Sequence, residues 1–378
     1  MNKTIIIPSV LILLATTSQA NNTVPDMQMY VFNSESAPKK QSAALQMVIF
    51  TDDSEMSATT KEPGENYKLS ETDDGRVQVY STDETNEAYA DDEYAVELYL
   101  ETGYRQDDLN WNKAGSSGTP NILSELTWDN IEIVTVELGT SLITPSNWVM
   151  DARFAYGTII DGNNQDSDYF GDNRTQEFSR SNNNADEGNT IDATIGFGYK
   201  ATIIPAPTAY KKPILSFTPK VGYSYHAQNL TVTDGKQTIP FRQTFANLNS
   251  KYDTSWYGPW AGFDSELSIV DRFSLNTAFE YHYAYYEATA EWNLRDDREQ
   301  PESFSHTAEG VGFFASIGSQ YKINDDFSLS LSVDYQKWQA DKKGRTTEFF
   351  VDGTQSSQKL NEVNWESMGA NIGLKYTF

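Results

Sequence analysis

The carboxy-terminal residues 365–378 constrain the fold more than any other feature of this chain. Met368, Ala370, Ile372, Leu374, Tyr376 and Phe378 alternate with Gly369, Asn371, Gly373, Lys375 and Thr377, so an extended backbone gives them one apolar and one polar face. A strand of this kind suits a sheet with lipid on one side and a polar interior on the other. Its aromatic last residue matches the closing strand of a Gram-negative outer-membrane β-barrel, the form in which such chains reach the barrel-assembly machinery.

The amino-terminal end agrees with export. Lys3 supplies a positive charge, Thr4 to Ala15 are mostly apolar, and Ser18-Gln19-Ala20 fits a small-x-small cleavage site, which predicts a signal peptide over 1–20. About a dozen apolar residues are too few for a membrane helix, and no later run approaches the roughly 20 that one requires. The chain has no cysteine, so neither a lipoprotein anchor nor a disulfide framework is expected.

Charge narrows the partners. Twenty-eight Lys and Arg against 54 Asp and Glu give a net charge of -26, which disfavours nucleic acid and favours cationic peptides or surface ligands. Aromatic residues make up 13% of the chain, enough for interfacial girdles. Residues 21–92 carry fifteen acidic and five basic residues with one short apolar patch, Met47-Val48-Ile49-Phe50, and read as an acidic, mostly disordered periplasmic segment. Short strands near Leu45–Phe50 or Val77–Tyr80 are the alternatives there.

From Tyr94 the chain divides into ten alternating segments, near 94–105, 122–137, 147–159, 189–202, 213–228, 255–270, 272–290, 309–323, 326–340 and 364–378. Long polar stretches follow the odd-numbered segments and short turns follow most of the even-numbered ones. This predicts an all-β fold over 93–378, a closed antiparallel ten-stranded transmembrane barrel. Loops 160–188, 229–254 and 291–308 fall at one end and both termini at the other. Phe273, Leu275, Phe279, Tyr281, Tyr283 and Tyr285 are predicted to face outward, and Ser274, Glu280, His282 and Tyr286 inward. Inward charges at Asp151, Arg153, Lys200, Lys220, Asp264, Glu266 and Lys375 are expected to pair across a narrow lumen, which disfavours a wide diffusion pore.

Four short stretches carry a resemblance. Ser124-Glu125-Leu126-Thr127-Trp128, Gly258-Pro259-Trp260-Ala261-Gly262, Lys342-Lys343-Gly344 and Gly373-Leu374-Lys375-Tyr376-Thr377-Phe378 occur in an order that resembles the omptins, ten-stranded surface proteases of Gram-negative outer membranes. The resemblance spans roughly 94–378. It implies a catalytic water held by an aspartate pair and an aspartate-histidine dyad, and it maps the pair onto Asp166 and Asp168. The dyad positions hold Glu291 and Asn293, and the position that selects a basic substrate side chain holds Thr289. A carboxamide cannot take up a proton as an imidazole does.

His226, His282 and His306 read as structural or solvated residues. The family's lipopolysaccharide positions fall on Tyr225, Ala227 and Ser268, which lack the cationic groups of a phosphate clamp. Contact with outer-membrane lipid and lipopolysaccharide is expected of any such barrel. Asp166, Asp168, Gly171 and Glu177 approach calcium-loop spacing, but Phe170 interrupts it and no helices flank it. No metal or cofactor is expected.

The reading is therefore a non-proteolytic, omptin-like surface structural or interaction protein in the outer membrane of a Gram-negative bacterium. An endopeptidase using Asp166, Asp168 and Glu291 with a non-standard base is the alternative, and a narrow cation channel the third. Removing Phe378, or replacing it with a charged residue, is expected to reduce outer-membrane assembly, measured as loss of heat-modifiable, protease-resistant barrel in membrane fractions.

Overall fold

The computed structural model describes residues 67–71, 77–81, 94–204 and 214–378. The segment predicted as a signal peptide, the Leu45–Phe50 patch and most of 21–92 lie outside them. Two strands precede the large sheet, β1 (Tyr67–Glu71) and β2 (Val77–Ser81), which form an antiparallel pair. The second coincides with the alternative strand near Val77–Tyr80.

Twelve further strands form one antiparallel sheet. They are β3 (Ala95–Lys113), β4 (Ser124–Ile143), β5 (Trp148–Gly171), β6 (Thr175–Tyr199), β7 (Ala201–Ile204) and β8 (Ile214–Ile239), followed by β9 (Gln243–Thr244), β10 (Asn249–Val270), β11 (Phe273–Glu291), β12 (Phe304–Lys322), β13 (Phe327–Phe349) and β14 (Gln355–Thr377). Pairing runs from β10 through β14 to β3 and on to β6 and β8, and β8 pairs in turn with β10, so the cycle closes. The four-residue β7 and two-residue β9 pair only with β8. Because successive long strands are antiparallel, their connections alternate between a loop end and a terminus end, where the Phe378 amide donates to the Val96 carbonyl at 2.9 Å.

The strands run past their predicted limits, chiefly toward the loop end. β5 and β6 meet at a turn over 172–174, so most of the predicted loop 160–188 is a hairpin with pairs such as Asn163↔Asn184 and Gln165↔Asn182. The Asn, Asp and Ser content that signals a loop is here the chemistry of strands wetted on their outer face. In the terminus-end half the outer face is an apolar belt, with Leu98, Leu100 and Tyr104 on β3 and Leu329, Leu331 and Val333 on β13 all exposed. At its upper edge the phenols of Tyr283, Tyr335 and Tyr257 donate to Glu309 at 2.6 Å, Glu366 at 2.8 Å and Glu287 at 2.8 Å.

The inner face has two layers. The predicted charge pairing is present toward the terminus end: Arg153 meets Glu280, Lys200 meets Glu266 at 3.1 Å, Lys375 meets Glu97 at 3.1 Å, and Lys220 bridges Asp151 and Asp264. The expectation of a polar interior does not hold in the upper half. There Trp111, Trp128, Trp256, Trp338 and Trp365 are buried with Leu109, Leu126, Ile131, Ile133, Tyr252 and Val363. Trp338 and Trp365 stack at 5.6 Å and Trp128 and Tyr252 at 4.9 Å. Leu109, Trp111, Tyr252 and Val363 lie beyond the predicted segments, on strands that run further than alternation alone indicates.

Trp365→Ala should empty part of this dry layer and destabilise the protein by about 3–5 kcal/mol. The check is the unfolding midpoint of refolded protein in detergent. Leu331→Ala on the belt, which detergent covers in both variants, is expected to shift it far less.

Candidate functional site

A register change determines which residues enter the lumen near the loop end. The β4–β5 ladder slips between Asp129 and Ile133, where Asn130 takes φ 54°, a conformation open to asparagine at little strain. Its amide donates to Asp108 at 2.7 Å, and its side-chain oxygen accepts from Gln106 at 2.6 Å. Below the slip Ile131 and Ile133 of β4 and Val149, Ala155 and Ile159 of β5 are buried; above it Leu126, Trp128 and Asn164 are. The inward parity thus changes from odd to even, as irregular insertions in a ladder do.

Even parity brings Asp166 and Asp168 to the inner wall, opposite buried Leu126 and Ser124. They are strand residues, not loop residues, and share one face two positions apart. Burial, then the neighbouring Asp168 charge, pushes the Asp166 carboxyl up to about 8, against the pull of Lys113 and Arg295. Burial also raises Asp168, opposed by a hydrogen bond from Ser124 and by Lys113. One oxygen of Asp166, Oδ1, is enclosed without a hydrogen-bond partner among the described residues.

Sequence reading did not name the other groups at this mouth. The Lys113 ammonium lies 2.6 Å from Glu348 Oε1, and Arg298 lies 3.2 Å from Glu348 Oε2 and 4.2 Å over the Phe350 ring. Burial would raise Glu348, but Lys113 and then Arg298 outweigh it and hold the carboxyl low. Arg295 clasps Asp297 with two bonds of 2.8 Å. The mouth is therefore an internally compensated set of acids and bases over an aromatic floor that includes Trp111 and Tyr252.

The remaining sequence candidates lie elsewhere. Glu291 ends β11 in the outward parity and meets Lys251 at 3.4 Å, so it does not join Asp166 and Asp168. Thr289 shares that exposed face. Asn293 fastens the start of β10: its oxygen accepts from the Asn249 amide at 3.0 Å and the Ser250 hydroxyl at 3.1 Å, and its nitrogen donates to the Asn247 carbonyl at 2.7 Å. Glu177, the twelfth position of the calcium spacing, is bound to Arg180.

The three histidines are inside the barrel with other partners. His226 Nδ1 is 2.7 Å from Asp192; His282 lies 3.1 Å from Ser224 and 3.2 Å from Glu280; His306 Nδ1 is 2.8 Å from the Tyr252 hydroxyl. His306, within the predicted loop 291–308, stands on β12, packed 4.6 Å from Trp111. Burial, with Lys113 second, holds its imidazole far below the usual range and hence neutral. A further network, missed because β3 was ended at 105, links Arg105 to Asp107 at 3.0 Å and Asp192 at 2.7 Å, with Trp365 and Gln228 donating to Asp107 at 3.1 and 2.8 Å.

The architecture is similar to that of the outer membrane protease OmpT from Escherichia coli, with TM-score 0.61 and 14% identity over 75% of this chain and 97% of that one. The translocator domain of the autotransporter NalP from Neisseria meningitidis gives TM-score 0.32 and 11% identity, covering 74% of this chain and 88% of that one. Ail, the attachment invasion locus protein of Yersinia pestis, gives 0.25 and 9%, covering 75% and 98%. No curated protein matches. The family model described as Protochlamydia outer membrane protein matches residues 99–378. The chain belongs to that family, with an omptin-like barrel fold and a place in the outer membrane of a Gram-negative bacterium.

Proposed function

We propose that the ten long strands β3, β4, β5, β6, β8 and β10–β14 form a closed transmembrane barrel whose terminus end faces the periplasm, and that the protein is a non-proteolytic surface structural or interaction protein. β7 then continues β6 beyond Lys200, and β9 is a short flap on β8. One observation carries the non-proteolytic reading: each histidine is held by partners away from Asp166 and Asp168. A general base must reach the water it deprotonates, within about 3 Å or through one further water.

The pair is a poor substitute for that base. Residues two apart on a strand are separated by about 6.6 Å, too far to share one proton as paired catalytic aspartates do. The channel reading is opposed by the tryptophan layer across the lumen. Support for an interaction role comes from apolar side chains on the loop end: Phe170, stacked on Phe178 at 3.9 Å, Phe241 and Val351 are each more than 60% exposed. Lipid and lipopolysaccharide around the belt, and the barrel-assembly machinery acting on Phe378, complete the proposed partners.

Purified, folded protein with lipopolysaccharide should leave a fluorogenic Arg-Arg peptide intact. Cleavage that disappears in Asp166→Ala or Asp168→Ala would overturn the non-enzyme reading. In planar bilayers the protein should give no steady conductance steps.

The raised Asp166 carboxyl makes a separate prediction. Its folded pKa of about 8 lies above the ordinary 3.8, so the folded state binds the extra proton. The resulting stability is complete below the ordinary value and is lost as pH rises through about 8. Asp166→Asn should therefore leave stability nearly unchanged at pH 4 and raise it by an amount on the order of 1 kcal/mol at pH 9. Unfolding midpoints across that range provide the measurement.

A further inference from the structure

Below the tryptophan layer the lumen holds a cavity of ≈ 420 Å³, within the roughly 300–1,000 Å³ of small-molecule sites. It reaches Ile143, Lys200 and Lys375 at the terminus end and stops at His226 and His282, whose rings lie 5.0 and 4.6 Å from Trp338. We propose that this blind cavity binds an extended organic polycation of the linear oligoamine class, entering from the terminus end.

The charge balance is the first reason. Nine Asp and Glu line the cavity against five Lys and Arg, and all five cations are in ion pairs. Among the described residues, Glu101, Glu137 and Asp334 have only neutral hydrogen-bond donors: Ser330 at 2.7 Å, Tyr99 at 3.0 Å and Asn371 at 2.7 Å. The nearby Arg153 is already 2.5 Å from Glu280. Carboxylates withdrawn from bulk water with no direct ion pair of their own are unfavourable, and a bound cation reduces that penalty.

The wall is shaped for these carboxylates. Glu101 and Asp334 lie over Gly373 and Gly369 of β14; a methyl at Gly373 would stand 2.4 Å from Glu101 Cγ, and one at Gly369 2.8 Å from Asp334 Oδ2. The glycines let the acids lie against the sheet and leave the axis open. His226 supplies an independent acceptor. It is 8% exposed and lines the cavity, and its Nε2 has no hydrogen-bond partner among the described residues. In the tautomer whose Nδ1–H donates to Asp192, Nε2 offers a lone pair to an ammonium N–H.

The dispersion of the acceptors selects the ligand. Among the described residues no group of three His, Cys, Asp or Glu is close enough to hold a metal ion. Separated carboxylates instead suit ammonium groups spaced along a flexible chain, each with three donors.

The absence of cysteine makes the site open to test. In refolded full-length protein, Ser332→Cys places a single thiol on the cavity wall. Its labelling by ethylammonium and ethylsulfonate methanethiosulfonates is measured and normalised to urea-unfolded protein. The cationic reagent should react at least about tenfold faster, and spermidine should slow it. Glu101→Gln with Glu137→Gln and Asp334→Asn should erase both effects, whereas Asp166→Asn with Asp168→Asn should leave them. Equal rates, no effect of spermidine, equal protection by Mg²⁺ at matched charge, or loss of preference in the mouth variant alone would overturn the proposal. If the triple variant does not fold, Glu101→Gln alone and a Ser319→Cys label carry the same comparison.

Discussion

The antiparallel ladder closes on itself through β8 and β10, and everything else in the structure depends on that closure. No long strand is left with a free edge, so the backbone polar groups are satisfied within the sheet and the side chains decide only what each face meets. Outside, the demand is simple: apolar residues in a belt and polar ones above it. Inside, the volume is fixed by the ring and every inward group must be matched within it. The chain meets this demand in two ways, with ion pairs toward the termini and tryptophan packing toward the loops.

These two fillings have different consequences. Charges such as Lys220 between Asp151 and Asp264 hold one another in direct ion pairs along the wall and leave a cavity inside it. Indole rings exclude that space. Trp338 and Trp365 stack directly above the His226 and His282 rings, so the polar cavity ends where the dry layer begins.

How much of this was legible in the sequence follows from the range of each signal. Alternation has a period of two and needs no distant partner, so the outward Phe279, Tyr281 and Tyr283 and the inward Glu280 and His282 could be assigned from β11 alone. The charge pairs followed once the faces were known. Strand ends were less legible, because an Asn-rich stretch such as residues 182–184 has the composition of a turn and is a strand only through its partners on β5 and β8. The slip near Asn130 was hidden for the same reason. It inserts residues without changing composition, yet it decides whether Asp166 and Asp168 point into the lumen or away from it.

That slip brings the aspartate pair inward but has no bearing on the dyad positions, which lie at the end of β11. The resemblance sets a dyad opposite the aspartate pair, and here the positions that it assigns to that dyad have other partners: Glu291 meets Lys251 on the outer face, and Asn293 fastens the start of β10. Lys113, Glu348 and Arg298 occupy the mouth instead, and they compensate one another. A neutral His306 beneath them packs against Trp111 and Phe304, and His226 and His282 lie below against Trp338. The barrel therefore presents an internally compensated set of acids and bases at one end and a net-negative pocket toward the other, with the tryptophan layer between them.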